Sequence, residues 1–457
     1  MRYKKLFIVA AAVLMLFILS GCFKKSTGSG AANLLFYGLD DSDVFDQMIA
    51  QYKQSHSNVQ IRYKKFNDPT EFENLLVNEI AEGEGPDVFF VHNTWLPRHT
   101  KKLVPLASET LTAKTFSETF VNVAAEDFIQ PDPNDGVKKI YALPLYADTL
   151  ALYYNKEEFE RKLPERGKPA NTWEILKQDA DKFRQQPEGG KLEKGLISLG
   201  RADNIALATD ILYNFFLQAG VDFYDADFKQ TQFANKGQDV FDYFVSFAVS
   251  QNKNYSWDGE LTPVDRELKE VEAFLSGKVA VMVGYSDFYQ RLETDLKNVK
   301  SRNPSVISKD DVAVAPLPQM STDESNFKVL ANYYGLAVSR NAKNKKAAWE
   351  FVQYVTSKNS AKTYHLRTKR PTARRDLIED QKKEPITEVF ASQLGYAGSF
   401  RIYSDQKFAA FLKEAIQNAV NGQSSKSALS GAQSKINDLL KLEAPNGLYP
   451  KPAKKKK

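Results

Sequence analysis

Two short extended segments joined by a polar and aromatic bridge place the strongest constraint on how this chain can fold. The first segment runs from Ile140 to Leu143, and the second, which is entirely apolar or aromatic, runs from Leu150 to Tyr154. The bridge between them carries Tyr146 and Asp148 and has no complete turn signal. We interpret it as a crossing between two domains, with these two side chains at the lip of the cleft. One bent strand within a single sheet is the alternative interpretation.

The length of the chain also favours two domains, because 457 residues exceed what one hydrophobic core usually organises. Of the net charge of +5, three charges come from Arg2, Lys4 and Lys5 and five from lysines in residues 451–457, so removing these eight leaves the body near −3. A nucleic-acid-binding protein carries its basic charge on the fold itself, so no nucleic-acid partner is expected.

The first 22 residues have the pattern of a secretion signal. After a basic start, the 14-residue apolar run from Leu6 to Leu19 would span about 21 Å as a helix, short of the ~30 Å membrane core. The residues Leu19-Ser20-Gly21-Cys22 follow, and they resemble the lipobox of bacterial lipoprotein signal peptides. The resemblance implies removal of residues 1–21 and acylation of Cys22. An accidental match after an ordinary signal peptide is the alternative.

Both ends of the processed chain are expected to be flexible. Residues 22–32 are rich in Ser, Gly and Ala, which predicts a flexible tether. The lysine-rich tail, residues 451–457, is predicted to be disordered, with a weak attraction to an anionic membrane surface as the alternative. The body between them is therefore expected to be held by its lipid anchor at the extracytoplasmic face of the cell membrane.

The stretch from Asn33 to Val91 alternates strands with amphipathic helices. Strands are predicted at Asn33 to Gly38, Val59 to Phe66 and Pro86 to Val91. Ser42 is expected to cap the first helix between them, and Thr70 with Glu73 to form a capping box at the second. This order with short connections predicts a parallel sheet with right-handed crossovers.

Strands and helices are also predicted to alternate along the remainder of the chain. Asn155 is expected to cap a helix, with Glu158 completing a capping box. Further strands are predicted at Leu196 to Leu199, Val279 to Val283, Asp311 to Ala315 and Val329 to Val338. Further helices are predicted at Asn204 to Ala219, Val240 to Ser250 and Lys345 to Val355.

Aromatic and polar side chains stand together where several predicted strands end. Tyr37 and Asp40 follow the first strand, Asn93 and Trp95 follow the third, and Tyr285 and Asp287 follow the strand at Val279 to Val283. Because ligands bind beyond the carboxyl ends of the strands in open α/β sheets, these positions are expected to form a site. Tyr333 and Tyr334 alternate faces on one strand, so only one of them is expected to reach it.

Five short sequence blocks, in order along the chain, resemble one protein family. The first, Gly83-Glu84-Gly85-Pro86-Asp87-Val88-Phe89-Phe90 with Leu103-Val104-Pro105-Leu106 downstream, resembles the GxGPDVF…L.PL block of bacterial extracellular solute-binding proteins of family 1. The other blocks are Tyr141-Ala142-Leu143-Pro144 with Leu152-Tyr153-Tyr154-Asn155-Lys156, then Asn171-Thr172-Trp173-Glu174, Phe274-Leu275-Ser276-Gly277-Lys278-Val279-Ala280-Val281-Met282, and Lys346-Ala347-Ala348-Trp349-Glu350-Phe351-Val352. These proteins are the sugar-binding components of ABC importers.

The resemblance implies a two-lobed α/β fold of the periplasmic-binding-protein type II. Each lobe would be a mostly parallel sheet flanked by helices, with a hinge between the lobes. The first lobe would take residues 33–146 plus 309–357, and the second residues 147–308 plus 358–450. A monomer would bind a carbohydrate between the lobes, close around it by a hinge motion and present it to the transmembrane subunits of an ABC permease.

A sugar offers many hydroxyl groups and apolar C–H faces. Asp and Asn side chains pair with hydroxyls, while Trp and Tyr rings pack against the faces. Asp148 matches by position an acidic ligand-binding residue of the family; a hinge carboxylate bonded to the backbone is the alternative. The full set of expected ligand-binding residues is Tyr37, Asp40, Asn93, Trp95, Tyr146, Asp148, Tyr285, Asp287, Tyr333 and Tyr334, with Asp203 and Arg370 as weaker candidates.

Other classes of function remain as alternatives. A secreted hydrolase is the enzyme alternative, but the sequence contains neither a GxSxG nor an HExxH motif. The carboxylates could in principle form a glycosidase pair, although the family blocks argue against it. A ferric-ion binder could use Tyr153-Tyr154 or Tyr333-Tyr334, although neighbouring strand residues point to opposite faces. His92 and His99 are expected at the surface. The same fold binding a polyol, polyamine or peptide is the most serious rival. No enzyme activity, cofactor or metal is expected.

Overall fold

The computed structural model of the protein describes residues 31–262 and 269–449. The expectations for the signal peptide, for acylation of Cys22 and for the tail at residues 451–457 lie outside these residues. The predicted tether at residues 22–32 ends slightly earlier than expected, because Ala32 already pairs with Val59 as the first residue of a strand.

The described residues alternate strands and helices along most of the chain. The strands are β1 Ala32–Gly38, β2 Val59–Lys65, β3 Val88–His92, β4 Ile129–Pro131, β5 Lys138–Ile140, β6 Ala142–Pro144, β7 Asp148–Thr149, β8 Ala151–Asn155, β9 Gly195–Ile197, β10 Val279–Gly284, β11 Val312–Pro316, β12 Val329–Asn332, β13 Tyr334–Val338 and β14 Ala397–Gly398. The helices are α1 Ser42–Ser55, α2 Pro69–Ala81, α3 Leu96–His99, α4 Ala113–Thr119, α5 Asn122–Phe128, α6 Lys156–Lys162, α7 Trp173–Phe183, α8 Ala208–Gln218, α9 Phe233–Lys236, α10 Gln238–Ser246, α11 Lys269–Leu275, α12 Asp287–Lys300, α13 Lys345–Val355, α14 Lys358–Thr368, α15 Arg375–Gln381, α16 Thr387–Gln393, α17 Asp405–Val420 and α18 Ser425–Glu443.

A five-stranded sheet in the order β2-β1-β3-β13-β6 forms the centre of the first lobe. The strand β1 runs parallel to both β2 and β3, which confirms the predicted β-α-β-α-β unit. The strand β13 comes from much later in the chain and runs antiparallel to both β3 and β6. It lies between β3 and β6, and four of its five residues are buried. The sheet is therefore complete only when this late strand is in place.

Two predicted helix starts in this lobe are wrong. Helix α2 begins at Pro69, and Asp68 caps it by accepting a hydrogen bond from the Glu71 amide at 2.7 Å. Thr70 therefore lies inside the helix, and a capping box with Glu73 cannot form. Ser42 is likewise the first helical residue, since the capping position is Asp41.

A four-stranded sheet in the order β11-β8-β10-β9 forms the centre of the second lobe. All five residues of β8 are buried, and this strand runs antiparallel to both β10 and β11. The sheet is therefore mixed rather than mostly parallel. As predicted, Asn155 ends β8 and caps α6, where its Oδ1 accepts a hydrogen bond from the Glu158 amide at 3.2 Å.

The buried apolar side chains fall into two clusters, one in each lobe. The chain leaves the first cluster after Ala147 and enters the second at Leu150, which agrees with the interpretation of this stretch as a crossing. It returns between Leu330 and Ala331. Strands β7 and β12 pair antiparallel at these two crossings, and β14 pairs parallel with β12 beside them.

The lobe boundaries differ from the predicted ones at two places. Residues 309–330 were expected in the first lobe, but β11 pairs with β8, and Val329 packs in the second cluster. Residues after 357 were expected in the second lobe, but Tyr364 and Ala373 pack in the first cluster. The second cluster resumes at Phe390 and continues to Leu448. Among the helices of the described ranges, none is both long and apolar enough to cross a membrane.

Candidate functional site

A cavity of about 540 Å³ lies between the two lobes. This volume is within the usual range for pockets that hold small molecules. The first lobe contributes side chains at the carboxyl end of β3, in α2 and in β13: Glu73, His92, Thr94, Trp95 and Tyr334. The second lobe contributes side chains from α8, α11, α12, α17 and the end of β10: Asp210, Tyr213, Glu270, Tyr285, Asp287 and Asp405.

Four of the ten expected ligand-binding residues line this cavity: Trp95, Tyr285, Asp287 and Tyr334. The rings of Trp95 and Tyr334 meet edge to face, with centroids 5.8 Å apart and planes at 90°. Trp95 lies three residues after the end of β3 and Tyr334 begins β13, and the two residues come together because β3 and β13 are neighbours in the sheet. The first lobe therefore presents an aromatic surface to the cavity, of the kind that packs against an apolar ligand face.

The pair Tyr333 and Tyr334 divides between the core and the cavity. Tyr333 is fully buried and its hydroxyl donates to Asp127 Oδ2 at 2.7 Å. Tyr334 is half-buried and lines the cavity. Only Tyr334 of the pair therefore lies at the cavity, since successive residues of a strand point to opposite faces.

Asp210 is the centre of a hydrogen-bonded group on the second-lobe wall. Its Oδ2 accepts from the Tyr285 hydroxyl at 2.8 Å and from Asn332 Nδ2 at 3.4 Å. Burial raises the pKa of the Asp210 carboxyl, an effect that these donors oppose. Asp287 lies nearby at the start of α12 and is half-exposed, with Arg291 Nε 3.9 Å from its Oδ2.

Asp405 connects the two lobes across the cavity. It is the first residue of α17 in the second lobe, and its Oδ2 accepts from the Thr94 hydroxyl at 2.7 Å and from Trp95 Nε1 at 3.2 Å. His92 Nδ1 lies 3.7 Å from the same oxygen. Although 37% of the Asp405 side chain is exposed, burial in the cleft raises its pKa, while the charge of His92 acts in the opposite direction.

Two histidines that were expected at the surface are buried. His92 Nε2 lies 2.8 Å from Asn332 Oδ1 and its Nδ1 lies 2.7 Å from the Thr94 hydroxyl oxygen, so the ring joins the Asp210 group to the Asp405 group. His99 Nε2 lies 2.8 Å from Glu73 Oε1. The surface expectation was wrong because both follow β3 closely, at the edge that faces the second lobe.

Asp40 and Tyr146 lie outside the cavity, in a buried group around Arg370. The Arg370 guanidinium donates to Asp40 Oδ1 at 2.6 Å and stands 4.6 Å from the centre of the Tyr146 ring. The Tyr364 hydroxyl donates to Asp40 Oδ2 at 2.8 Å. Because Arg370 comes from the turn after α14, this group fastens that turn to the carboxyl end of β1.

Asp148 also lies outside the cavity, where it joins β7 to the end of β10. Its Oδ2 accepts from the Ser286 amide at 3.0 Å and from the Ser286 hydroxyl at 2.6 Å, and its Oδ1 accepts from the Thr149 amide. Burial raises the pKa of this carboxyl to about 7. The arrangement matches the alternative interpretation of Asp148 as a hinge carboxylate bonded to the backbone.

The remaining expected residues have partners away from the cavity. Asn93 Nδ2 donates to Asp127 Oδ2 at 3.0 Å, and the buried Tyr37 ring packs on Phe66 at 5.0 Å. Asp203 pairs with Arg201, whose Nε donates to its Oδ1 at 2.9 Å. These side chains hold strand ends and loops in place behind the site.

Several lining residues had no signal in the sequence. Asp210, Glu270 and Asp405 come from three different helices, and none of them follows the end of a predicted strand. Two buried polar atoms that belong to lining residues, Tyr213 Oη and Glu270 Oε2, have no hydrogen-bond partner among the described residues. No group of three or more His, Cys, Asp or Glu within residues 31–262 and 269–449 is placed to hold a metal ion.

The sequence of this chain is similar to those of bacterial binding proteins. The family model for the bacterial extracellular solute-binding protein matches residues 39–362. A binding protein of Brucella abortus is 22% identical over 342 residues, which cover 73% of this chain and 72% of that protein. The family match includes the lining residues Trp95, Asp210, Tyr285 and Tyr334, whereas Asp405 lies beyond its end.

Solved structures share the same fold. The GacH receptor of Streptomyces glaucescens, determined alone and with acarbose, superposes with a TM-score of 0.65 at 19% identity, covering 90% of this chain and 99% of that one. The sugar-binding protein MalE of Xanthomonas citri gives a TM-score of 0.71 at 15% identity, covering 89% and 97%. A cyclic α-maltosyl-1,6-maltose binding protein of Arthrobacter globiformis gives 0.68 at 19% identity, covering 90% and 100%. The predicted two-lobed type II fold is confirmed.

Proposed function

The chain belongs to the bacterial extracellular solute-binding proteins, and from this premise we propose that it is a receptor that captures a carbohydrate between its two lobes. The carbohydrate is expected to be an oligosaccharide. The solved neighbours support this choice, because several are sugar-binding proteins, among them a cyclo/maltodextrin-binding protein in complex with maltotetraose.

The observation that carries the proposal is the pairing of aromatic and polar side chains across the cavity. Trp95 and Tyr334 offer rings on the first lobe, while Asp210 and Asp405 offer carboxylate oxygens on the second. A sugar needs both, because its C–H faces pack on rings and each buried hydroxyl left unpaired costs about 1–3 kcal/mol. Tyr285 and Asp287 complete the proposed set of ligand contacts.

We infer further that the protein is a lipid-anchored, non-catalytic monomer that works with an ABC permease. Acylation at Cys22 would place it at the extracytoplasmic face of the membrane, and two or more acyl chains anchor a protein stably. Closure of the lobes around the sugar would create the surface that the transmembrane subunits of the permease recognise. Membership of a family of binding proteins supports a receptor over a hydrolase.

The proposal is tested by a thermal-shift screen of the purified protein. The panel contains mono- and oligosaccharides, polyols, amino acids, peptides, polyamines and ferric iron. A ligand at 100 times its Kd that binds only the folded state adds about 2.7 kcal/mol of stability, which gives a clear rise in Tm. The variant Trp95→Ala, which removes the ring from the cleft, should lose most of the rise.

The outcomes of the screen separate the candidate functions. A rise with one class of sugar supports the carbohydrate receptor and identifies its ligand class. A rise with only a polyol, a peptide, a polyamine or iron overturns the carbohydrate assignment while leaving a receptor. Steady release of reducing sugar from a polysaccharide would instead indicate a hydrolase.

A further inference from the structure

Three carboxyl groups on the second-lobe wall of the cavity lack a lysine or arginine ion-pair partner among the described residues. They belong to Asp210, Glu270 and Asp405. Within the described residues, no Lys or Arg nitrogen lies within 4 Å of any of them, and the His92 ring lies 3.7 Å from Asp405. Burial raises the pKa of each, so their negative charge is held at a cost in free energy.

The other charged side chains of the cavity are already paired. Glu73 on the first lobe contacts His99 at 2.8 Å and Arg98 at 3.6 Å. Arg291 stands between Asp287 at 3.9 Å and Asp295 at 3.7 Å. Lys269 is the remaining lining cation, so five carboxyl groups face two permanent positive charges around the cavity.

Two buried polar atoms of residues in the same wall have no hydrogen-bond partner among the described residues. Glu270 is only 4% exposed; its Oε1 accepts from the Ala206 amide at 3.0 Å, but its Oε2 is without a hydrogen bond among the described residues. Tyr213 is 8% exposed, and its hydroxyl is likewise unpaired within the part of the chain that the structure describes. A buried polar atom left unpaired is costly, so a bound donor at this wall would be favourable.

Aromatic rings complete the surroundings of these carboxyl groups. Tyr213, Tyr285, Phe288 and Phe400 line the cavity from the second lobe, opposite Trp95 of the first. Ring faces attract cations, and they do so more strongly in a desolvated cleft. Carboxyl groups without paired cations, together with rings, form a surface that suits a positively charged group better than a neutral hydroxyl.

We propose that the saccharide captured by this protein carries a positive charge, and that an amino-sugar unit binds with its ammonium group against Asp210, Glu270 and Asp405. The inference rests on the proposed carbohydrate function and specifies its ligand class. A neutral sugar would satisfy hydrogen bonds at this wall but would leave the excess of negative over positive charge around the cavity in place when the lobes close. An ammonium group supplies three donors and the compensating charge together.

The test compares matched saccharides by isothermal titration calorimetry on the full-length protein. The probes are the glucosamine tetramer, its N-acetylated form and cellotetraose, with galactosamine and galactose as a second matched pair. At pH 6 the amino groups are charged, since a simple α-amino group has a pKa of about 7.7. We expect the amino form of a pair to bind at least about tenfold more tightly, with a preference that falls as salt is added.

Isosteric variants locate the effect. Asp405→Asn and Glu270→Gln each remove a charge and keep an acceptor oxygen, so each should weaken binding of the amino probe about five- to tenfold and weaken binding of the neutral probe by a clearly smaller factor. Asp210→Asn provides a third variant in case one of these folds poorly. The matched control is Asp222→Asn, an exposed carboxyl group paired with Lys236 outside the cavity, which should change neither.

The results distinguish the two levels of the proposal. Neutral saccharides that bind as tightly as their amino partners would overturn the charged-ligand inference and leave the carbohydrate receptor in place. If no saccharide of either kind binds, the carbohydrate function itself is wrong, and the inference is overturned with it. The same holds if only non-sugar amines bind.

Discussion

Asp148 holds the crossing strand β7 against the end of β10 through three hydrogen bonds from Ser286 and Thr149. Its carboxyl group is almost completely buried, with no lysine or arginine nitrogen within 4 Å among the described residues. This position places Asp148 at the crossing between the lobes and outside the residues that line the cavity. It also gives the hinge a group whose protonation changes close to neutral pH.

The stability of the protein is expected to depend on pH through Asp148. Because its pKa rises from 3.8 in the unfolded chain to about 7 in the folded protein, the folded state keeps a proton that the unfolded chain has released. The resulting stability is complete below pH 3.8 and is lost as the pH rises through about 7, with a slope of up to about 1.4 kcal/mol per pH unit. Urea unfolding at pH 5, 6, 7 and 8 measures this slope.

The variant Asp148→Asn removes the titrating group and keeps an acceptor for Ser286. Its unfolding free energy should fall less steeply between pH 5 and 7 than that of the wild type, whereas Asp222→Asn should follow the wild type. Parallel curves for all three proteins would contradict the assignment of this pH dependence to Asp148.

For single residues, the sequence predicted which side chains lie at strand ends better than it predicted which other side chains they contact. Tyr334 and Trp95 could be found because they follow strand ends or alternate along a strand. Asp40 and Asp148 sit at the predicted places, but each is neutralised or hydrogen-bonded by a residue distant in sequence, Arg370 or Ser286. Glu270 and Asp405 were not found, since a carboxyl group on an amphipathic helix looks like an ordinary solvent-exposed residue.

Among the elements, β9 shows how closely the second lobe is packed. Gly195 starts this strand, and a Cβ atom added there would lie 1.9 Å from the Ser256 carbonyl oxygen. The close approach is fixed by Ser256, whose hydroxyl oxygen accepts from the Ile197 amide at 2.8 Å. Only glycine fits between these two backbones.

Gly195→Ala should therefore destabilise the second lobe. The added methyl group must push the two backbones apart, which costs about 1–3 kcal/mol in a well-packed core. The change is measured as a lower midpoint of urea unfolding.

Gly431→Ala is the matched control in helix α18. No heavy atom lies within 4 Å of the added Cβ, and the residue is exposed in the helix interior. Alanine there should stabilise by about 0.5–1 kcal/mol, since glycine loses more backbone freedom in a helix. If both substitutions changed the free energy of unfolding equally, the packing around Gly195 would not be what determines the effect of adding a methyl group there.

Element existence was predicted more accurately than element boundaries. Helix α13 has the predicted bounds Lys345 to Val355, and Asn155 caps α6 as expected. The predicted start of α2 was wrong because Pro69 favours the first turn of a helix and Asp68 is a good N-cap residue. Together they begin the helix before Thr70, where the capping box was predicted.

In the whole molecule, hydrogen bonds to Asp405 join the two lobes across the cavity. Thr94 and Trp95 donate to Asp405 across the cavity. Further along the same side, the Ser399 hydroxyl donates to Asp127 Oδ1 at 2.5 Å. These contacts join the first lobe to the segment just before and at the start of α17, so they favour a closed arrangement.

Thr94→Val should shift the free protein towards an open arrangement. Valine has nearly the same shape but lacks the hydroxyl that donates to Asp405, and one such hydrogen bond is worth about 1 kcal/mol. Small-angle X-ray scattering without ligand should give a larger radius of gyration, and ligand affinity should fall about fivefold.

Thr363→Val on helix α14 is the control for this change. Its hydroxyl donates only to the Asn359 carbonyl at 3.2 Å, away from the cavity. It should leave both the scattering curve and the affinity unchanged. An unchanged radius of gyration for Thr94→Val would mean that the Asp405 contacts do not control the lobe arrangement.

The two-lobed plan could be predicted because its crossing and its family blocks are local in sequence. The exact division of the chain could not. Strand β11 joins the second sheet only because β8 offers a free edge, and α14 joins the first lobe through the packing of Tyr364 near Phe45 at 6.2 Å. Both assignments depend on contacts between segments more than 150 residues apart, which no local pattern encodes.

The late strand β13 has a consequence for the timing of synthesis. It lies between β3 and β6 in the first sheet, yet Tyr334 follows Pro144 by 190 positions. At a ribosomal rate of about 5–20 residues per second, synthesis of the residues between β6 and β13 takes roughly 10–40 s. Strands β3 and β6 are therefore complete that long before the strand that pairs with both of them. During that interval both present unpaired edges that other chains could join, so the newborn chain has a prolonged need for a holding chaperone before its first sheet can close.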